Sequence, residues 1–341
     1  MHVLNRSADH FCRTVPHSSY CTGRVPTRYR YRRRLAHDAG AVALSMMQVH
    51  NRCAWGHWRL ACCLSSLVAL AHSKIIFTNN FDSAPNGKDW EADLNGKTAW
   101  INCAEEAGGG RSGRCCDFGV SYCPDGSCYR AETKHVPERR VLEIGREFWF
   151  GFALMLPSND TYLDPDLHPN ILHFQLHGGD NTGRGPVFGL KVDLGDRNAS
   201  DLHWSVTASG DDRPSQEVPY PEYRPKYTYA ADLGSVRAGQ WEDFVVNVDL
   251  QYKPVGKLRV WRGGHLLVNR SQIATAYNDH LAPYVKTGAY LNKPFKINTE
   301  KGGTAPHTKH WSIRYWQLNV ADAHSSFAQV STLPSGAAVN V

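Results

Sequence analysis

Three short segments of the sequence place ionisable and hydrogen-bonding side chains at alternate positions. Alternate residues share one face of a β-strand. The faces predicted in this way are Arg130, Glu132 and Lys134 in the first segment, His173, Gln175 and His177 in the second, and Tyr284, Lys286, Gly288, Tyr290 and Asn292 in the third. If the three strands are neighbours in one sheet, these faces together form a polar, partly basic groove.

Such a groove suits the cleavage of a glycan beside a uronate carboxylate by elimination. The proton on C5 is barely acidic until the charge of that carboxylate is neutralised, so donors must stabilise an enolate-like transition state. Gln175 and His177 are the predicted donors, and Arg130 can bind a carboxylate through two hydrogen bonds. Where the proton and the leaving group lie on opposite faces of the sugar, as in guluronate and iduronate, His177 is instead placed to act as a separate base. Tyr290 is predicted to take the C5 proton as a base and then to protonate the departing oxygen.

The other polar residues of the three segments are predicted to bind the substrate. They are Glu132, Lys134, His173, Tyr284, Lys286 and Asn292. Structural explanations stay open for several of them: Arg130 and Glu132 can form an ion pair, in which Glu132 orients the guanidinium, and Lys286 can be a solvated sheet residue. Leu172, Phe174 and Leu176 are predicted to point into a core, and Trp241 and Trp261 to pack against a sheet.

The rest of the chain predicts a fold built from strands. Segments rich in Val, Leu, Phe, Trp and Tyr are Phe148–Leu156, Ile171–His177, Phe188–Leu194, Leu202–Ala208, Trp241–Leu250, Lys257–Val268 and Trp311–Val320. Clusters of Gly, Pro, Asn and Asp separate them, and the sequence has no internal repeat and no long amphipathic helix. We therefore expect one antiparallel sandwich or barrel over residues 74–323, followed by a loose tail at 324–341.

The first 73 residues differ from the rest in charge and in pattern. They hold ten Arg and two Asp, so the net charge of +6 comes from this leader and gives no reason to expect a nucleic-acid partner. The apolar run Leu60–Leu70, followed by Ala71-His72-Ser73, predicts a signal peptide and a secreted protein. Residues 1–45 can be an upstream extension, and an Arg-rich transit peptide is the alternative. The apolar run is too short to predict a membrane span.

Cysteines and glycosylation motifs fit an exported chain. Five cysteines fall in one short stretch, and they predict a local staple of two disulfides with one thiol left over: Cys103, Cys115, Cys116, Cys123 and Cys128. A zinc site is a weaker interpretation of the same cluster. Sequons at Asn159, Asn198 and Asn269 predict glycosylated surface loops.

Taken in order, the three segments resemble the signature blocks of the jelly-roll polysaccharide lyases. This family includes alginate lyases with R-x-E-x-R, Q-I-H and Y-F-K-x-G-x-Y blocks, and their glucuronan lyase and heparin lyase I relatives. The resemblance covers about residues 75–322, and it implies an all-β, concanavalin A-like jelly roll in which His177 and Tyr290 carry catalysis with Arg130 and Gln175 assisting. Lys134 and Leu176 depart from the usual Arg and Ile. The resemblance also makes a structural Ca²⁺ possible.

The predicted function is therefore a secreted lyase that acts on an acidic polysaccharide. We expect a monomer that needs no cofactor and no metal for catalysis, and we favour alginate or glucuronan because the groove is only modestly basic. A non-catalytic lectin is the alternative from another class. A hydrolase would need paired carboxylates, and the sequence lacks the E-x-D-x-x-E pattern of sandwich glucanases.

Overall fold

The computed structural model divides the chain into two units, Met1–Val68 and Ala69–Val341. The described residues all belong to the second unit. They run from 73 to 340, with gaps at 82–83, 104–105, 109–110, 122–128, 136–140, 159–169, 180–182, 195–200, 218–223, 292–309, 335 and 338.

Within these residues the second unit consists almost entirely of β-strands. In chain order they are β1 Ile75–Asn79, β2 Trp90–Asn95, β3 Ala99–Asn102, β4 Glu106–Gly108, β5 Arg111–Arg114, β6 Cys116–Ser121, β7 Arg130–His135, β8 Glu147–Met155, β9 Asn170–His177, β10 Pro186–Leu194, β11 Leu202–Pro214, β12 Tyr227–Ser235, β13 Glu242–Asp249, β14 Gly256–Arg262, β15 His265–Ile273, β16 Tyr277–Asn278, β17 Tyr284–Leu291 and β18 His310–Asp322. A 3₁₀ helix, Ser215–Glu217, and one short α-helix, α1 Phe327–Val330, complete the described elements.

Two sheets pack face to face as a jelly-roll sandwich. The groove sheet has the order β12-β11-β10-β9-β17-β7-β2, with β16 beside β11, and it contains all three polar segments. The back sheet has the order β15-β14-β13-β8-β18-β6-β3, with β1 beside β18. The pairs of described strands along both orders are antiparallel, as the strand-rich sequence predicts, and the short β16 pairs with β11 in parallel.

Alternation along the strands places the core between the two sheets. In β11, Leu202, Trp204 and Val206 are buried, while His203 and Ser205 lie partly exposed on the opposite face. The back sheet contributes large rings to the same core, which contains Phe118, Phe150, Phe152, Phe244, Trp311 and Tyr315. Burial of these side chains, at about 25 cal/mol for each Å² of apolar surface, holds the sheets together and fixes the face that each strand presents outward.

The predicted strands are present, although one predicted segment is divided into two strands and several further strands were not predicted. The segment Lys257–Val268 is a hairpin rather than one strand, because Gly263 and Gly264 both have positive φ and turn the chain between β14 and β15. The sequence did not predict the short strands β1 to β6 or the longer strand β12, since each offers few consecutive apolar residues. The edge strand β2 is the most important omission, because it lies directly beside β7 in the groove sheet.

A β-bulge in β9 reverses the predicted faces of two residues. The pairing of β9 with β10 slips between Phe174 and Leu172, so an extra residue interrupts the alternation at His173. His173 is fully buried and stacks on Trp311 of the back sheet, and its Nδ1 donates to the carbonyl of Gly288 over 2.9 Å. The predictions that His173 faces the groove and that Leu172 points into the core are therefore wrong.

The prediction of a loose tail is wrong for the residues that follow β18. Phe327 and Val330 of α1 are buried in a second apolar cluster on the outer face of the back sheet, where Phe327 contacts Trp261. The hydroxyl of Thr332 donates to Asp243 over 2.6 Å, which ties the chain to β13. With only four residues in α1, none of the described helices is long and apolar enough to cross a membrane.

One disulfide of the predicted staple is present. It joins Cys103, at the end of β3, to Cys116 at the start of β6, and it closes the connection between these neighbouring strands. Cys115 is buried beside it, whereas Cys123 and Cys128 lie outside the described residues, so the second bridge stays a prediction.

Of the predicted sequons, Asn269 is described, and Asn159 and Asn198 are not. Asn269 is exposed, but it belongs to the edge strand β15 rather than to a loop, so that part of the prediction is wrong. Whether the sites carry glycans stays a prediction.

The buried His173 predicts that stability falls in acid. Burial lowers its pKa from 6.5 to about 4, so between these values the unfolded chain binds a proton that the folded chain does not. We expect the free energy of unfolding to drop by roughly 3 kcal/mol at this residue as the pH falls through that window. Urea denaturation at pH 7 and at pH 4.5 measures the drop.

His177 adds a similar loss over the same window, because its pKa is also lowered to about 4. The variant His173→Phe should therefore keep part of the pH dependence and lose the rest. At pH 7 it should be less stable by about 1–3 kcal/mol, because the carbonyl of Gly288 loses its donor. An unchanged pH dependence in this variant would show that His173 does not titrate on unfolding.

Candidate active site

The three polar segments are neighbouring strands of the groove sheet, in the order β9, β17, β7. Lys286 at the centre of β17 lies between Gln175 of β9 and Lys134 of β7. Tyr284 is opposite His177, and Tyr290 is opposite Arg130. Residues of one strand, β17, are therefore opposite His177 at one end of the site and Arg130 at the other.

A cavity of about 650 Å³ opens on the outer face of this sheet. Arg130, Gln175, His177 and Tyr290, the four residues predicted to carry catalysis, all contribute to its lining. Leu172, which the sequence placed in the core, also contributes, and contributors that the sequence did not single out include Asn170, Arg184, Lys191, Thr207, Ser209, Arg224 and Tyr277. None of the described residues that line the cavity is an aspartate or a glutamate. A separate cavity of about 490 Å³ opens beside β1 and His135, away from these four residues.

Beneath the cavity lies a fully buried carboxylate, that of Glu132. Its oxygens accept a hydrogen bond from Gln175 Nε2 and form ion pairs with Lys286 Nζ at 3.1 Å and Arg130 Nε at 3.2 Å. Burial raises the pKa of this carboxyl, and the charges of Lys286 and Arg130 act against that effect. Glu132 therefore positions three groups of the site, and its predicted contact with substrate is wrong because no part of its side chain is exposed.

The neighbouring edge strand supplies a second carboxylate that the sequence analysis missed. Asp93 of β2 pairs with Lys286 Nζ at 2.6 Å and with Arg130 Nη1 at 3.1 Å. Burial alone would raise the pKa of Asp93, but Lys286 and Arg130 together outweigh it and lower the pKa. The only sequence signal was the alternation of Glu91, Asp93 and Asn95, and this strand is too short and too polar to stand out.

Arg130 is held between these carboxylates and the ring of Tyr290. Its guanidinium lies 4.8 Å from the centre of that ring, and Tyr129 packs edge-on against the same ring at 6.0 Å. Nε and Nη1 already serve Glu132 and Asp93. The predicted two-bond contact with a substrate carboxylate would compete with both pairs, so Arg130 acts first to orient Tyr290.

His177 is held in its neutral form with one defined tautomer. Burial and then the charge of Lys286 lower its pKa to about 4, and Arg130 adds to the effect. Its Nδ1 lies 3.1 Å from the carbonyl of Gly178, which can only accept, so Nδ1 carries the hydrogen and Nε2 keeps a lone pair. This tautomer makes Nε2 of His177 a proton acceptor, which suits the base role expected of it and not the donor role.

Close packing at Gly288 aligns β17 with β7. The residue has φ of 138°, and an added Cβ would lie 2.3 Å from the carbonyl oxygen of Ala131. Only glycine permits this approach. Because Gly288 is opposite Glu132 in the register, the close contact also fixes Tyr290, two residues further along, against Arg130.

The remaining predicted substrate contacts have different outcomes. The ring of Tyr284 packs at a tilt against that of His177, with 5.3 Å between the ring centres, and Lys286 is 2% exposed beneath the groove. Lys134 is paired with Glu91 at 3.0 Å near the edge of the sheet. Asn292 lies outside the described residues.

Comparison with known proteins agrees with this geometry. The model of one family, polysaccharide lyase, matches residues 107–313, which is more than half of the chain. The chain belongs to the polysaccharide lyase family. It is therefore an enzyme that acts on a polysaccharide. No match to this lyase is found among curated proteins.

Solved structures resemble the lyase in fold. The structure of an endo-β-1,4-glucuronan lyase from the fungus Trichoderma reesei is 17% identical, with a TM-score of 0.54, and the match covers 75% of this chain and 98% of that one. An alginate lyase from Pseudomonas aeruginosa is 14% identical, with a TM-score of 0.43 over 70% of this chain and 100% of that one. An endo-1,3-β-glucanase from Streptomyces sioyaensis is 13% identical, with a TM-score of 0.45 over 74% and 96%.

The described part of the lyase contains no ligand set for a structural Ca²⁺. Calcium binds six to eight oxygen atoms, with carboxylates prominent among them. The described residues contain no group of three or more His, Cys, Asp or Glu side chains that could hold a metal ion. We assign no ligands to calcium, and its presence stays a prediction.

Substitution of Glu132 tests whether the pairing of this buried carboxylate stabilises the lyase. Removing the charge of Glu132 leaves Lys286, 2% exposed, with Asp93 as its remaining carboxylate. We expect Glu132→Gln to lower the free energy of unfolding by about 3 kcal/mol in urea denaturation.

The matched control is Glu91→Gln on β2, which breaks the more exposed pair with Lys134. That change should cost less than about 1 kcal/mol. Equal losses in the two variants would show that burial of Glu132 is not what makes its pairing matter.

Proposed function

We propose that the lyase cleaves a uronate-containing polysaccharide by β-elimination and leaves an unsaturated uronate at the new end. The observation that carries the proposal is the shared cavity, in which a phenol, an imidazole and an amide line one space: Tyr290, His177 and Gln175. Elimination needs a proton acceptor, a proton donor and a group that stabilises the charge on the carboxylate. These three side chains supply those functions.

The amide of Gln175 is the group that addresses the substrate carboxylate. One of its two N–H bonds is directed to Glu132, which fixes the orientation of the amide. The second N–H is available to donate to an oxygen of the uronate carboxylate. Stabilising the charge of that carboxylate makes the C5–H bond easier to break. In this arrangement Glu132 acts on the reaction only through Gln175, Arg130 and Lys286.

Proton transfer depends on the sugar's configuration. In mannuronate and glucuronate the C5 proton and the C4 oxygen leave from one face. The oxygen of Tyr290 then takes the C5 proton, the C4–C5 double bond forms as the C4–O bond breaks, and the hydroxyl of Tyr290 gives a proton to the departing oxygen. In guluronate and iduronate the two leave from opposite faces, so His177 Nε2 would take the proton and Tyr290 would give one.

The first route is favoured for this chain. His177 has a pKa of about 4, far below neutral pH, so it is a weak base there. The substrates proposed first are therefore polymannuronate, as in alginate, and glucuronan. The absence of acidic residues among the described lining residues argues against hydrolysis, which requires a pair of carboxylates across the bond.

We also propose that the lyase is exported and that its leader is removed after Ser73. The disulfide between Cys103 and Cys116 supports an oxidising compartment. Mass spectrometry of the protein recovered from culture medium tests this directly. A mature chain that begins at Lys74 is expected, and retention of the whole protein inside cells would contradict the proposal.

The reaction is tested with purified protein on polymannuronate, polyguluronate, glucuronan and heparin. Elimination should raise the ultraviolet absorbance of the new C4–C5 double bond, first on polymannuronate or glucuronan. New reducing ends without that absorbance would mean hydrolysis. Tight binding without any product would favour the lectin alternative, a carbohydrate-binding sandwich without catalysis.

The role of Tyr290 is tested by Tyr290→Phe, which removes only the hydroxyl. Loss of an acid–base group costs roughly 10²–10⁴-fold in turnover, so we expect kcat to fall by that amount while substrate binding persists. Tyr252→Phe, after β13 in the back sheet, is the control and should retain activity. Wild-type kcat in Tyr290→Phe would remove Tyr290 from the mechanism.

A further inference from the structure

The carboxylate of Asp93 occupies a position that an anionic group of a ligand would otherwise take. Its oxygens lie 2.6 Å from Lys286 Nζ and 3.1 Å from Arg130 Nη1, the distances of charge-assisted contacts. Its side chain is 24% exposed, while that of Glu132, the other carboxylate of the cluster, is fully buried. Asp93 therefore covers the two cations on a side that solvent reaches.

The cluster has no net charge as a result. Arg130 and Lys286 contribute two positive charges, and Glu132 and Asp93 contribute two negative charges. Glu132 alone would leave one positive charge beside the reacting uronate. Asp93 is thus the residue that removes this charge, although it belongs to none of the three signature segments.

Other lysines of the groove sheet are also paired with carboxylates of the protein. Lys134 is paired with Glu91 at 3.0 Å, and Lys191 of the cavity lining is paired with Asp193 at 2.9 Å. A ligand with several anionic groups would therefore compete with carboxylates of the protein at each of these cations. Like charges brought together in a binding site disfavour binding of the wrong partner.

We propose that Asp93 is a specificity-determining residue that restricts the groove to uronate glycans without sulfate or another anionic group beside the reacting carboxylate. The inference rests on the proposed function, because it concerns the substrate of the same site. A single carboxylate is bound by the amide of Gln175, which is neutral. A neighbouring sulfate would instead be drawn to a cation, and Asp93 already pairs with the two cations of this cluster, Arg130 and Lys286.

The test compares wild-type lyase with Asp93→Asn, which keeps the shape of the side chain and removes its charge. Inorganic sulfate serves as the probe, as a competitive inhibitor of glucuronan or polymannuronate cleavage. We expect sulfate to bind Asp93→Asn about tenfold more tightly than wild type, and the kcat/KM for heparin relative to the unsulfated polymer to rise by a similar factor.

Two variants control for net charge and for structure. Asp117→Asn removes a similarly half-buried carboxylate that pairs with Arg314 on the back sheet, so it makes the same change in charge away from the groove. Asp93→Glu restores the charge at the site. Both should bind sulfate as weakly as wild type does.

Binding of sulfate is also measured directly by calorimetry, so the result does not depend on turnover. Unchanged sulfate affinity in folded Asp93→Asn would overturn the inference, and so would equal gains in Asp117→Asn. If Asp93→Asn does not fold, Asp93→Ser takes its place, and failure of both to fold would make Asp93 a structural residue. A wild-type protein that yields no unsaturated product from any polymer would contradict the proposed function, whereas the sulfate measurement would still report on Asp93.

Discussion

A fully buried carboxylate must be paired. The pairing of Glu132 fixes the positions of residues that form the groove. Burying an unpaired charge costs far more than the stability of a domain allows. The partners of Glu132 come from two other places in the chain and from its own strand: Gln175 donates a hydrogen bond, and Lys286 and Arg130 form ion pairs. Three segments that are far apart in sequence are thereby held to one point, and the groups that face the sugar are oriented from below.

The sandwich supplies the rigidity that this arrangement needs. The hydroxyls of Thr133 and Thr287 are hydrogen-bonded at 3.0 Å on the core side of β7 and β17. Tyr315 of the back sheet donates to the carbonyl of His173, so the opposite sheet also supports β9. Residues on strands fixed from both sides keep their geometry better than residues on loops. The site is therefore part of the packed body, and its residues contribute to stability as well as to chemistry.

Much of this arrangement follows from alternation and from the three segments. Arg130, Gln175, His177 and Tyr290 meet in one cavity as predicted, because strand periodicity is a strong signal when one face is packed. His173 and Leu172 were placed on the wrong faces, since the sequence does not mark the bulge that separates them. Asp93 was missed because ion pairing across strands depends on register, which a short polar edge strand does not reveal. Tertiary contacts also decided the end of the chain, where Phe327 and Val330 of α1 pack although most of the surrounding residues are small and polar.

The bulge in β9 has a further consequence for how the groove can vary. It divides the strand into two halves that alternate out of phase, with Asn170 and Leu172 facing outward before it and Gln175 and His177 after it. Deleting the extra residue would restore regular alternation and leave both halves on their present faces. An insertion or deletion elsewhere in the strand, without a compensating bulge, would turn one half over, so that an apolar floor and a piece of the core would change places. Insertion and deletion at a single position can therefore remodel the surface under the sugar more completely than exchange of any one side chain.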